Sequence, residues 1–211
     1  MRLLIITQKI DSDDPVLGFF HNWVAALSAS FESVEVICLE LGKQNLPSNV
    51  SVHSLGKDRG LNRFGYLLNF YRHLFSLRKK YDRVFVHMNQ EYIILAGFYW
   101  RLFRIPVYFW RNHPHGDFLT CLSVLLSKKV FCTSGDSFTA RYEKTSLMPV
   151  GIDTKFFRPV EGSGKRKYSI CMVGRVDPVK NVRLGLEAAK NLLDDGQQFF
   201  MTIVGSPSER N

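Results

Sequence analysis

Cysteine is sparse in this 211-residue sequence and never clustered. Cys38, Cys121, Cys132 and Cys171 stand far apart in apolar surroundings, with no Cys-x-x-Cys pair. That pattern argues against a zinc site or a disulfide scaffold and reads as reduced core thiols. No run of about 18 consecutive apolar residues occurs, so no membrane span is expected. Nor does the opening Met1-Arg-Leu-Leu-Ile-Ile-Thr7 carry a small-residue cleavage site. No secretory leader is expected, and the chain reads as cytoplasmic. Gly-x-Gly-x-x-Gly follows no strand-like run, which argues against a dinucleotide-dependent enzyme. Asp-x-Asp occurs only as Asp11-Ser-Asp13, in a polar loop, so no metal is expected. Acidic residues are outnumbered, 19 against 28 Lys and Arg, giving a formal charge of +9. Such a balance calls for an anionic partner, but no nucleic-acid motif accompanies it, and nucleic acid is not the expected one.

What is present is an alternation. Apolar runs at 3–7, 34–39, 50–54, 83–88, 107–110, 129–133 and 147–150 read as strands. Segments with helical apolar spacing lie at about 19–30, 61–80, 92–103, 119–126 and 137–142. Strand and helix in turn mean an α/β fold, a Rossmann-like parallel sheet flanked by helices. Composition shifts at Glu161-Gly-Ser-Gly-Lys-Arg-Lys167, a glycine-rich basic linker. This divides the chain into a first domain at 1–160, a linker at 161–167 and a second unit at 168–211. The second is a single β-α-β unit, too small for an independent domain and read as the incomplete start of another Rossmann-like sheet.

That second unit opens with the stretch richest in chemistry. A strand at 168–173 runs into Gly174-Arg175, then Asp177-Pro178, then a helix from about Asn181. A helix N-terminus with fixed charges beside it is an anion site. Backbone N–H groups and the helix dipole favour negative charge, and Arg175 and Lys180 supply full positive charges. Their spacing suits one cation on each side of a diphosphate.

Taken in order, Gly18, His113, Val150-Gly-Ile-Asp153 and Gly174-Arg175…Lys180 resemble the retaining, nucleotide-sugar-dependent glycosyltransferases of group 1, family 4. The run Pro149-Val-Gly-Ile-Asp-Thr-Lys-Phe-Phe-Arg-Pro159 is similar to that family's interdomain connection. The resemblance implies a GT-B architecture of two Rossmann-like domains, with 1–160 as the acceptor-binding domain and 168–211 as the start of the donor-binding domain. It also implies a nucleotide-diphosphate sugar as co-substrate, no metal cofactor, a glycan or lipid-linked acceptor and a role in cell-envelope polysaccharide biosynthesis. Gly18 would let backbone amides approach the donor phosphates, although the family often has two glycines where this chain has Leu17-Gly18-Phe19. His113 would stand near the transferred sugar as the catalytic histidine, with His115 as competitor. Gly174, Arg175 and Lys180 would hold the diphosphate and neutralise it as it leaves. The family's donor domain continues well past Gly205, with the base pocket and a pair of glutamates. The sequence therefore reads as a fragment: the acceptor half and the first phosphate-binding turn.

Other candidates come from position alone. His87, Asn89 and Glu91 stand at the C-terminal end of the fourth strand, where open α/β sheets place ligand contacts, and Ser134 stands after the sixth. Asn89-Gln90-Glu91 serves equally as a helix cap. The basic segment Arg59–Arg83, with Phe64, Phe70 and Phe75, fits peripheral docking on the inner face of an anionic membrane. It fits also a core-facing helix whose polar face is basic, since helices that cover a sheet need apolar stripes in any case. A non-catalytic glycan- or lipid-binding module derived from the acceptor domain is the alternative function.

Overall fold

The computed structural model describes residues 1–160, 162, 164 and 166–207. The chain forms two compact units, Met1–Gly151 and the part from Ile152 onward. The basic segment at 161–167 falls in the second, where Glu161, Ser163 and Lys165 lie outside the described residues.

The first unit is built on seven strands: β1 (Arg2–Ile10), β2 (Ser33–Leu41), β3 (Val50–Ser54), β4 (Arg83–His87), β5 (Val107–Trp110), β6 (Lys129–Cys132) and β7 (Thr145–Leu147). They pair in the order β3-β2-β1-β4-β5-β6-β7, every pair parallel. The order reverses direction between β1 and β4, which opens a crevice at the C-terminal ends of those strands. Four α-helices connect the strands: α1 (Gly18–Ser28), α2 (Arg63–Ser76), α3 (Gln90–Leu102) and α4 (Phe118–Leu126).

Alternation along β1 shows how the layers form. Leu4 and Ile6 face Phe70, Leu74, Ile93 and Trp100 of α2 and α3, while Leu3 and Ile5 face Phe20 and Val24 of α1. All of these side chains are buried. Because α1 alone covers its face, a hollow of about 690 Å³ is left there, lined by Phe85, Tyr108, Trp110 and Phe131 from β4, β5 and β6. Trp23 of α1 meets Trp110 edge-on at 5.0 Å between centroids. Trp100, fully buried on the other face, donates its indole N–H to Tyr81 Oη at 3.1 Å.

Two sequence expectations shift. The last strand of this sheet, expected at 147–150, lies at Thr145–Leu147. Its partner β6 ends at Cys132, whose carbonyl takes the final bond from Met148 N–H at 2.8 Å. Pro149, next in line, has no N–H to extend the ladder. The short helix expected at 137–142 is a 3₁₀ turn over Phe138–Arg141.

The second unit contains β8 (Ser169–Val173), α5 (Val182–Asp194) and β9 (Phe200–Val204), with β8 and β9 paired in parallel. Among its described residues only Ala189 is buried.

Candidate functional site

At the C-terminal edge of the large sheet, β4 ends in a sharp turn. Met88 takes φ 66°, a left-handed conformation that a long side chain rarely adopts. Asn89 N–H then donates to the His87 carbonyl at 2.8 Å. Asn89 occupies the N-cap position of α3, yet its side chain makes no capping bond. Its Oδ1 is buried without a partner. Gln90 does the tying instead: it donates to Asp117 Oδ1 at 3.4 Å and accepts from Thr120 Oγ1 at 2.8 Å. Asp117 and Thr120 form a reciprocal capping box at the start of α4, so one hydrogen-bonded group fixes the beginnings of α3 and α4. The Thr120 amide, first among its partners, holds the Asp117 carboxyl below its usual range.

His87 ends up beneath this edge. It is 2% exposed, stacked on Phe20 at 3.9 Å, with Nδ1 3.2 Å from Thr7 Oγ1 and Nε2 unpartnered. Burial pushes its pKa down to about 4, so the ring is neutral. Glu91 is exposed in the first turn of α3. Ser134 is taken up in a turn, accepting from Asp136 N–H and donating to its carboxylate, each at 3.1 Å.

After β5 come three residues that the structure brings together. His113 Nδ1 lies 3.0 Å from the carbonyl oxygen and 3.1 Å from the amide nitrogen of His115. That anchors the ring through one nitrogen and leaves Nε2 for a ligand. His115 is exposed beside it, the two rings 5.7 Å apart. Arg111 was not singled out in the sequence. Its guanidinium is half-buried, donates from Nη2 to the His115 carbonyl at 3.0 Å, and keeps a buried Nε with no partner. Burial lowers its pKa, opposed by Asp117 and Glu91. The available signal was a charged residue directly after the apolar strand Val107–Trp110. Among the described residues the unpartnered buried side-chain atoms are His87 Nε2, Asn89 Oδ1 and Arg111 Nε, and all three sit at the ends of β4 and β5.

The first turn of this unit is acidic. Lys9, near the end of β1, meets Asp14 at 2.8 Å, Glu40 at 3.0 Å and Asp11 at 3.2 Å. The Asp14 bond leads in raising the Lys9 pKa, against burial. Asp14 also takes the Val16 and Leu17 amides on Oδ1 at 2.8 and 2.7 Å, and its carbonyl takes the Gly18 amide at 3.0 Å. Gly18 is thus the first residue of α1 with its own N–H already bonded.

The corresponding turn of the second unit is cationic. Gly174 has φ 150°, and Gly174, Arg175 and Lys180 line one pocket of about 150 Å³ at the end of β8. Asp177 caps the following turn through the Lys180 amide at 3.2 Å and reaches Arg175 Nε at 3.6 Å. The Lys180 ammonium has no carboxylate within 4.0 Å among the described residues. Gly205, unremarked in the sequence, closes against this turn, since a Cβ there would collide with the Gly174 carbonyl oxygen. Among the described residues no group of three or more His, Cys, Asp or Glu could hold a metal ion.

No family model matches the chain, and no curated protein matches it in sequence. Solved structures do. The lipopolysaccharide outer core galactosyltransferase WaaB is 14% identical, with a TM-score of 0.59 over 99% of this chain and 62% of its own. WaaG, a glycosyltransferase involved in lipopolysaccharide biosynthesis, is 13% identical, with a TM-score of 0.56 over 95% of this chain and 62% of its own. A putative UDP-N-acetylglucosamine 2-epimerase from Listeria monocytogenes is 11% identical, with a TM-score of 0.55 over 100% of this chain and 63% of its own. At such identities the likeness is one of fold: the chain has the GT-B fold that glycosyltransferases and epimerases share. It spans less than two thirds of the length of each of these structures.

Proposed function

We propose that this chain is the acceptor-side unit and first donor turn of a GT-B glycosyltransferase, which moves a sugar from a nucleotide-diphosphate sugar to a glycan or lipid-linked acceptor with retention. The observation that carries the reading is the glycine turn at Gly174, where Arg175 and Lys180 close on one pocket. As the sugar–phosphate bond breaks, negative charge grows on the departing diphosphate. Two fixed cations favour that state over the intact donor. His113 Nε2 and the unpartnered groups of Arg111 and Asn89 would contact sugar and acceptor hydroxyls, with Glu91, His115 and Ser134 as further acceptor contacts. His87, neutral and stacked, acts in this reading by holding α1 against β4.

Calorimetric titration with UDP, GDP and UMP tests it. Diphosphates bind, UMP binds much more weakly, and Arg175→Ala loses the binding by roughly 10- to 150-fold, the value of a hydrogen bond to a charged group. A folded chain that ignores all three nucleotides but holds a glycan or lipid would instead be the non-catalytic module.

A further inference from the structure

A helix that covers a sheet needs one apolar stripe, and α2 and α3 each have two. On α2, Phe70 and Leu74 are buried against the sheet, while Phe64, Leu68, Tyr71 and Phe75 follow one another at helical spacing on the outer side. Phe64 is 73% exposed and Leu68 62%. On α3 the outer stripe is Leu95, Phe98 and Leu102, the last 77% exposed, followed by Phe103. The stripes join. Tyr71 Oη donates to the Leu95 carbonyl at 3.1 Å, Phe75 meets Tyr99 edge-on at 5.7 Å, and Tyr99 packs on Phe103 at 4.8 Å. An exposed apolar face of this continuity marks a binding surface.

Charge says what binds. Of the basic segment read in the sequence, Lys57, Arg59, Lys80 and Arg83 are paired with carboxylates. Arg63, Arg72, Arg78 and Lys79 of the same segment have none within 4.0 Å among the described residues. Nor have Arg101, Arg104 and Lys128, which line a hollow of about 530 Å³ beside Leu125. Lys144 closes the hollow, held by the carbonyls of Val124 and Ser127 at 3.1 and 3.0 Å. Between Leu61 and Arg104 the only acids are Asp82, paired with Arg2 and Arg83, and Glu91 at the opposite end of α3.

We propose that the outer face of α2 and α3 docks on an anionic lipid bilayer. Phe98, Leu102 and Phe103 enter the headgroup boundary, and Arg101, Arg104 and Lys128 meet lipid phosphates. Leu102 and Phe103 flanked by Arg101 and Arg104 is the arrangement that interfacial binding rewards: apolar burial with cations at headgroup depth. A second copy of the chain would bring the same cations together, and nucleic acid would leave the phenyl and leucyl groups in water. Both helices run against the strands, so their basic ends lie at the N-terminal edge of the sheet and leave the C-terminal edge free. The inference stands apart from the catalytic reading.

The test is flotation of the full chain with phosphatidylcholine vesicles, with and without phosphatidylglycerol. Binding is expected only with the anionic lipid, falling about fivefold for each of Arg101→Gln and Arg104→Gln. Leu102→Ser with Phe98→Ser should abolish it, and Lys43→Glu, a charge change elsewhere, should leave it unchanged. Equal binding to neutral vesicles, no binding at all, or Lys43→Glu losing as much as the arginine variants would overturn the proposal. So would a dimer in sedimentation that Leu102→Ser dissolves, since the face would then belong to a second copy.

Discussion

The two units each begin with a strand that runs into a turn and then a helix, and the two turns have opposite electrical character. After β1, Asp14 accepts three backbone N–H groups and Lys9 is enclosed by three carboxylates. After β8, the glycine turn faces Arg175 and Lys180. The same local geometry makes an internally satisfied corner in one case and, in the other, a cationic turn whose Lys180 has no carboxylate within 4.0 Å among the described residues. The difference lies in how many acceptors the chain supplies: three carboxylates surround Lys9, whereas Asp177 alone serves the second turn, on Arg175 and the Lys180 amide. A shared fold therefore does not make its two crossings electrically equivalent.

Substitution can break this contrast, and the largest expected effect is at Gly205. Gly205→Val forces a side chain into the Gly174 carbonyl and costs roughly 3 kcal/mol; hydrogen exchange of the β8 and β9 amides should lose its protection. His87 comes next. Its unfolded form takes a proton near pH 6.5, whereas the folded ring resists until about 4. The unfolded state binds more protons in that window, so stability falls as pH drops through it, by roughly 3 kcal/mol in all. Urea unfolding at pH 7 and pH 4.5 should show this, and His87→Leu should lose that part of the pH dependence.

Asp14→Ala strips the Val16 and Leu17 amides of their acceptor and should cost about 1–3 kcal/mol, read as a lower urea midpoint. Acid acts on the same corner. Burial works to raise the Asp14 pKa, but Lys9 and the Leu17 and Val16 amides outweigh it, and Lys57 then Lys9 lower that of Glu40. Their stabilisation is complete above the unfolded values near 4 and is lost as pH falls through the lower folded ones. Smallest is Gly18→Ala, whose Cβ would stand 3.1 Å from the Ser12 carbonyl oxygen. A shift of a few tenths of an ångström accommodates it, and the midpoint should move by about 1 kcal/mol or less. Should Gly18→Ala weaken UDP binding as much as Arg175→Ala, the contrast between the turns would fail.

The strands were legible because buried parallel strands are written as short apolar runs, and Val50–Ser54 and Val107–Trp110 match residue for residue. The end of the sheet was not, since the extent of β7 depends on where β6 stops, a fact of pairing rather than of composition. In α2 the sequence showed apolar residues at helical spacing without saying which of two stripes faces inward. Phe70 proves to be core and Phe64 and Phe75 exposed. The Lys9 corner was hidden for a similar reason: Asp11 and Asp14 come from the loop after β1 and Glu40 from β2, and they converge only when β1 and β2 pair. Arg111 escaped notice because a single arginine after a strand carries no pattern, and its interest lies in a buried Nε that only coordinates reveal.

All three tryptophans, Trp23, Trp100 and Trp110, belong to the first unit. Intrinsic indole emission therefore reports that unit alone, while the second, with Tyr168 as its one phenol, is dark at the same wavelengths. The perpendicular Trp23–Trp110 pair is close enough for excitation to pass between its rings, and its exciton signal in near-ultraviolet dichroism depends on α1 staying against β5. Trp100, isolated behind Tyr81, is an independent probe of the opposite layer. One chain thus has optical markers for each face of its large sheet, and melting of the second unit can be followed as the dichroism change that the indoles do not share.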